Sequence, residues 1–143
     1  MEENILEIVE KSCRIHRDVI AVKYLSHREI VEKSYGDLWD DIRKTAIILR
    51  NKGLCGTHIA LVGSSSYEWI CAYMAILFTG NTAVPLDANL SVSELHELLN
   101  RSGSIALFCG ASRKDVITEL TDDCPEMNIV FTMEKKVDIE HLE

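Results

Sequence analysis

From His58 onward the chain alternates short apolar runs rich in β-forming residues with longer amphipathic stretches. His58–Val62, Thr82–Leu86, Ile105–Cys109 and Asn128–Thr132 read as strands, with helices filling the gaps between them. Their starts lie 24, 23 and 23 residues apart. A strand, a helix and two tight loops need that much chain, so each successive pair reads as a parallel βαβ unit. The runs are continuously apolar rather than alternating, as expected of strands covered on both faces. The pattern predicts an α/β fold: a mainly parallel sheet of consecutive βαβ units, right-handed crossovers, and helices on both faces.

Helix starts agree with this arrangement. Ser-x-x-Asp/Glu recurs at Ser34–Asp37, Ser65–Glu68, Ser91–Glu94 and Ser112–Asp115, each ahead of a helical apolar pattern, and reads as four capping boxes. In the first helix Leu38, Ile42, Thr45, Ala46 and Leu49 form an inward stripe, Asp40, Asp41, Arg43 and Lys44 face water, and Asn51–Gly53 supplies the stop. In the second, Trp69, Ile70, Tyr73, Met74, Ile76, Leu77 and Phe78 leave almost no polar face before Gly80. Burial on both sides is the expectation there.

Ahead of these units, Asn4–Arg14 reads as a helix with Ile5, Ile8, Val9 and Cys13 on one face. Val19–Leu25 and Ile30–Lys33 read as a hairpin across Ser26–Glu29. Past Thr132 the alternation is weak. The chain thus divides into residues 1–33 (helix and hairpin), 34–132 (βα units) and 133–143 (tail).

Composition narrows the functional classes. With 143 residues, 47% hydrophobic and 27% charged, the chain can bury a real core. Fifteen basic residues against twenty-three acidic give a net charge of −8, which repels phosphate backbones and argues against nucleic acid or anionic membranes as partners. No window holds 18 uncharged apolar residues and Met1–Lys11 is acidic, so no transmembrane segment or signal peptide is expected; the reading is cytoplasmic. Cys13, Cys55, Cys71, Cys109 and Cys124 are odd in number, irregularly spaced and without a CxxC pair, as for reduced thiols. Cys71 and Cys109 lie in apolar runs that disfavour a thiolate.

Few motifs carry chemistry. Gly63-Ser64-Ser65-Ser66, a hydroxyl-rich turn between a strand and a helix, could accept an anion at the helix amino terminus, although capping by Ser65 and Glu68 is the simpler reading. No phosphate-loop or dinucleotide glycine pattern follows any strand. His16, His27, His58, His96 and His141 lie far apart, and none has a metal-ligand partner at close spacing. Gly-x-Ser-x-Gly is absent, and hydrolase catalysis, which needs positioned partners rather than residue types, stays a weak alternative. Asn100-Arg101-Ser102 fits a glycosylation acceptor that an unexported chain leaves unmodified. Tyr67, Trp69 and Tyr73 could line an apolar ligand pocket, but aromatics at helical spacing read more simply as core.

Two stretches resemble the opening motifs of the adenylate-forming superfamily, which includes acyl-CoA synthetases, luciferases and peptide-synthetase adenylation domains. Lys33-Ser34-Tyr35-Gly36-Asp37-Leu38 is similar to its Thr/Ser-Tyr-x-Glu/Asp-Leu motif at the first long helix. Leu77 through Asp87, with Gly80 and Val84-Pro85-Leu86-Asp87, resembles its Gly-x-x-x-Val-Pro-Leu/Ile-Asp signature. Gly53–Trp69 looks like the segment between them, and Ser93-Glu94-Leu95 through Ser104 like the helix that follows. The chain departs from the pattern at Thr57, where Asp is usual, and at Ser65 or Ser66, where Asn is common. Ser66-Tyr67-Glu68-Trp69-Ile70 with Val84-Pro85-Leu86-Asp87 is most similar to bacterial long-chain fatty acid–CoA ligases.

The resemblance implies a partial amino-terminal subdomain of a larger ligase that uses ATP, Mg and CoA to convert a fatty acid to an acyl-adenylate and then to acyl-CoA. The family's phosphate-gripping loop and catalytic Lys lie further along than this chain extends, so no residue here is assigned to catalysis and the isolated chain is expected to be inactive. In relatives the turn matching Asp87-Ala88-Asn89 can lie near the CoA nucleotide, which makes these residues the candidate substrate contact. Asn89 stands where some relatives carry a basic residue. Such a piece is expected to expose apolar surface and could form a homodimer through it, whereas a stand-alone α/β binding module would not.

Overall fold

The computed structural model describes residues 3–133 and the backbone of residues 137–141. In chain order it comprises α1 (Ile5–Ile15), β1 (Ile20–Ser26), β2 (Glu29–Ser34), α2 (Tyr35–Asn51), β3 (His58–Val62), α3 (Tyr67–Phe78), β4 (Thr82–Leu86) and α4 (Val92–Ser102). Then follow β5 (Ser104–Gly110), a 3₁₀ segment (Ala111–Ile117), α5 (Leu120–Asp123), β6 (Ile129–Met133) and β7 (Val137–His141). β1 and β2 pair antiparallel as a separate hairpin, as expected, and turn through His27 and Arg28, both at positive φ. Two consecutive residues in that region give the primed turn that matches strand twist.

The remaining strands form one sheet in the order β4-β3-β5-β6-β7. β4, β3, β5 and β6 are parallel, which confirms the α/β reading, and β7 runs antiparallel beside β6. This last strand falls within residues 133–143, where alternation is weak and no strand is expected. Alternate strand residues serve opposite faces. Ile59, Leu61, Ala106, Phe108 and Phe131 pack with α1, α2 and α3; Ala60, Val62, Leu107, Cys109 and Val130 pack with α4, the 3₁₀ segment and α5. Phe108 and Phe131 are fully buried and stack at 4.6 Å, so removing either ring would cost about 3–5 kcal/mol.

Expected caps form at Ser34–Asp37 and Ser91–Glu94, each a reciprocal box. The amides and hydroxyls of Ser34 and Ser91 hold the Asp37 and Glu94 carboxyls below their ordinary range, so the carboxylate half of each box weakens as acid protonates it, while the serine hydroxyls keep accepting from the Asp37 and Glu94 amides. Two other assignments change. α3 is capped by Ser66, whose hydroxyl accepts from the Trp69 amide at 3.1 Å, so Ser65 lies one residue outside and Glu68 completes no box. Ser112–Asp115 opens no α-helix: the backbone is 3₁₀, kinked at Arg113, and Asp115 binds the Arg113 guanidinium instead. An additional box, Asn4 with Glu7, starts α1.

α1 packs through Leu6, Val9 and Cys13, while the Ile5 and Ile8 expected on its inner face are 54% and 47% exposed. α3 is buried along Cys71, Ala72, Met74, Ala75 and Ile76, but Ile70 is exposed and Trp69, Tyr73 and Leu77 are half-buried. It therefore retains one accessible apolar edge. No helix among the described residues is long and apolar enough to cross a membrane.

Asn81, buried in the α3–β4 connection, joins three chain segments. Its Oδ1 accepts from the Thr57 amide at 2.9 Å and the Thr57 hydroxyl at 2.7 Å, and its Nδ2 donates to the Leu54 carbonyl and the Thr79 hydroxyl. Thr57 thus supplies a donor where the resembling family usually has Asp. Asn81→Ala would strand several of these groups, and a loss of about 2–4 kcal/mol is expected in urea unfolding; a loss below about 0.5 kcal/mol would show that water replaces the amide without cost. Burial pushes the Cys71 thiol up to about 12, and Cys13, Cys109 and Cys124 are likewise buried. A thiol-specific reagent is therefore expected to label only exposed Cys55 in the native chain and the other four on denaturation; labelling of more than one thiol before unfolding would contradict this packing.

Candidate functional site

Strand order determines where a crevice opens. From β3 the chain moves to β4, then returns past β3 to β5, so right-handed crossovers send α3 to one face and α4 to the other. The loops after β3 and β5 consequently leave the sheet in opposite directions. Ligand crevices in open α/β sheets form at such a reversal, outside the carboxyl ends of the strands.

At this point the two loops nearly touch. A Cβ on Gly63 would lie 3.1 Å from the Gly110 Cα, and one on Gly110 would lie 3.0 Å from the Gly63 Cα. Only residues without side chains pass at that distance. Beyond the contact is a cavity of about 450 Å³, lined by Ser64, Ser65, Ser66, Tyr67 and Glu68 on the β3–α3 side and by Gly110, Ala111 and Ser112 after β5. Met133 at the end of β6 and Tyr24, Leu25 and Ser26 of the hairpin complete the lining.

Tyr67 attaches the hairpin to this site. Its hydroxyl donates to Asp41 Oδ2 at 2.6 Å, its ring stacks on Tyr24 at 5.7 Å, and Lys33 Nζ lies 5.3 Å from its centroid. Burial and the bond to Asp41 raise the Tyr67 pKa, so the phenol remains a neutral donor. Tyr67 is both core and cavity wall, whereas Trp69 and Tyr73 stack on each other at 5.2 Å and lie outside the lining. The cavity presents hydroxyls, the amino terminus of α3 and one charged side chain, Glu68. No Lys, Arg or His lines it among the described residues. Hydrogen bonding to a polar ligand is within its means; nucleophile activation is not.

The Asp87-Ala88-Asn89 turn lies at the same carboxyl end of the sheet, beyond edge strand β4 and outside the cavity lining. Asp87 Oδ1 accepts from the Asn89 amide at 2.8 Å, and the carbonyls of Ala88 and Leu90 both accept from Arg113 Nη1 at 2.6 Å. The two candidate sites are therefore separate but adjoin through residues 110–113. Sequence reading missed Gly110–Ser112, although their position after a strand was a usable signal. Arg113 offered none.

His96 lies elsewhere. It is buried on α4, with Nδ1 2.7 Å from Asp123 Oδ2 and Nε2 2.7 Å from the Val116 carbonyl, and it fastens α4 to the segment after β5. Among the described residues no group of three or more His, Cys, Asp or Glu could hold a metal ion.

Residues 9–142 match the family described as AMP-binding enzyme. An acyl-CoA ligase of Penicillium expansum is 28% identical over 105 residues, which are 73% of this chain and 21% of the relative. Cyclosporin synthetase of Tolypocladium inflatum is 30% identical over 112 residues, 77% of this chain and 1% of that protein. The crystal structure of coronafacic acid ligase from Pectobacterium brasiliense superposes with a TM-score of 0.83 at 24% identity, over 94% of this chain and 26% of that one. The chain spans about a fifth of the length of the curated ligase it matches. Matched over nearly its whole length, the chain belongs to the AMP-binding enzyme family.

Proposed function

We propose that this chain is the amino-terminal scaffold of an ATP-dependent long-chain fatty acid–CoA ligase, in which a fatty acid becomes an acyl-adenylate and is then passed to CoA. The family match over residues 9–142 carries the reading. The fatty acyl branch is supported by Ser66-Tyr67-Glu68-Trp69-Ile70 and Val84-Pro85-Leu86-Asp87, which are most similar to ligases of that branch. A carrier-bound thiol as acceptor is the second reading, favoured by the likeness to cyclosporin synthetase.

The scaffold role follows from what the cavity lacks among the described residues. A triphosphate needs cations, and the lining offers hydroxyls and the Glu68 carboxylate, so these residues do not meet the requirement for ATP by themselves. For Mg the lining offers that one carboxylate, too few ligands to hold the ion by itself. The Asp87-Ala88-Asn89 turn fits a polar contact on the CoA side, since Asn89 is exposed beyond a strand end and its neighbouring carbonyls are fixed. In this reading the chain shapes one wall of the ligase, and cations from outside it grip the nucleotide.

ATP–pyrophosphate exchange tests the proposal. The 143-residue chain is expected to give no exchange above a protein-free control with ATP, Mg and fatty acids; turnover would overturn the scaffold role. A ligase containing this chain is expected to exchange with long-chain fatty acids, and absence of exchange with any carboxylate would overturn the enzymatic reading.

A further inference from the structure

Arg113 reaches back to the Asp87–Leu90 turn and bonds its backbone on both sides of Asn89. Nη1 donates to the Ala88 and Leu90 carbonyls, at 2.6 Å each, so its bonds straddle Asn89. Nε and Nη2 donate to the two Asp115 oxygens at 3.0 and 3.2 Å. The Arg113 side chain is 14% exposed, against 55% for Asp115. Its backbone is held too, because Cys109 Sγ donates to the Arg113 carbonyl at 3.1 Å.

This leaves the guanidinium little capacity for a ligand. Of its five N–H groups, four are engaged, and the Asp115 carboxylate offsets its charge. Without it the turn keeps the Asn89 amide bond to Asp87 Oδ1 and a 3.3 Å bond from the Leu90 amide to the Asp87 carbonyl. Both depend on exposed Asp87. The order of the turn therefore comes from a residue 23 positions or more along the chain, on the loop that also lines the cavity.

We propose that Arg113 is the positioning residue of the Asp87–Leu90 turn, fixing the carbonyls on either side of Asn89 so that Asn89 is presented to the nucleotide end of CoA. The proposal rests on the reading of that turn given under Proposed function. Lysine cannot substitute, because a single ammonium group cannot hold two carbonyls and fork onto a carboxylate at once. Asp115 fixes the guanidinium plane and is the second member of the device.

Amide hydrogen exchange and CoA titration of the ¹⁵N-labelled chain, both followed by NMR, test this in wild type, Arg113→Lys and Asp115→Asn. Arg113→Lys is expected to speed exchange at Asn89 and Leu90 by about tenfold or more, and Asp115→Asn by less, with the core amides of Leu61 and Leu107 unchanged. CoA is expected to shift the turn amides of wild type and to require at least about fivefold more ligand in Arg113→Lys at the same melting temperature. Unchanged exchange at Asn89 and Leu90 in both variants overturns the positioning role, and Asp115→Asn carries this readout should Arg113→Lys not fold. Wild-type turn amides that ignore CoA, with exchange accelerated in the variants, overturn the ligand reading alone. Equal CoA response in wild type and Arg113→Lys overturns the link between positioning and recognition.

Discussion

A parallel strand flanked by two others has two faces to hide and no turn short enough to bring the chain straight back. β3 and β5 meet that constraint with apolar runs over Ile59–Val62 and Ile105–Cys109, with α1, α2 and α3 on one face and α4, the 3₁₀ segment and α5 on the other. Because crossovers take one hand, covering both faces forces the strand order to reverse, and the reversal opens a crevice between the β3 and β5 loops. Cavity, glycine contact and candidate turn all lie at that end of the sheet. Burial of the sheet thus decides where a ligand can be met before any polar residue is chosen.

Polar residues then join the covered sheet to its surroundings at a few points. Asn81 locks the connection ahead of β4 to the loop ahead of β3, and Tyr67 with Asp41 ties α3 to α2. His96 with Asp123 and the Val116 carbonyl fastens α4 to the crossover behind β5. No buried side-chain nitrogen or oxygen lacks a partner among the described residues. Such satisfaction matters more than the strength of any single bond, since an orphaned group costs more than a paired one contributes.

Much of this was legible in the sequence. Spacing and apolar continuity located four strands because a doubly covered parallel strand has no polar face to confuse its reading. The boxes at Ser34 and Ser91 were legible because both partners lie within one turn. Ser65 and Ser66 are chemically equivalent, so residue type alone could not choose between them, and the helix begins at the second. Ser112–Asp115 matched a box in letters, but Arg113 claimed Asp115 and the box did not form. Arg113 itself was invisible: a basic residue in a polar loop looks solvated until the fold brings two carbonyls to it. The cavity was half legible, through the Gly63–Ser66 turn, while its hairpin wall depends on tertiary contacts of Tyr24 and Tyr67.

Among the described residues the hairpin shares no strand hydrogen bond with the five-stranded sheet. Tyr24, Leu25 and Ser26 belong to it, yet they wall a cavity whose other residues are set by the sheet. The aperture is thus bounded by the sheet on one side and, on the other, by a hairpin whose Ala21, Val22 and Tyr24 pack on the main core and whose Tyr24 ring stacks on Tyr67. The entrance is therefore shaped on this side by side-chain packing rather than by a strand ladder, and Tyr24 serves the core and the cavity wall at once.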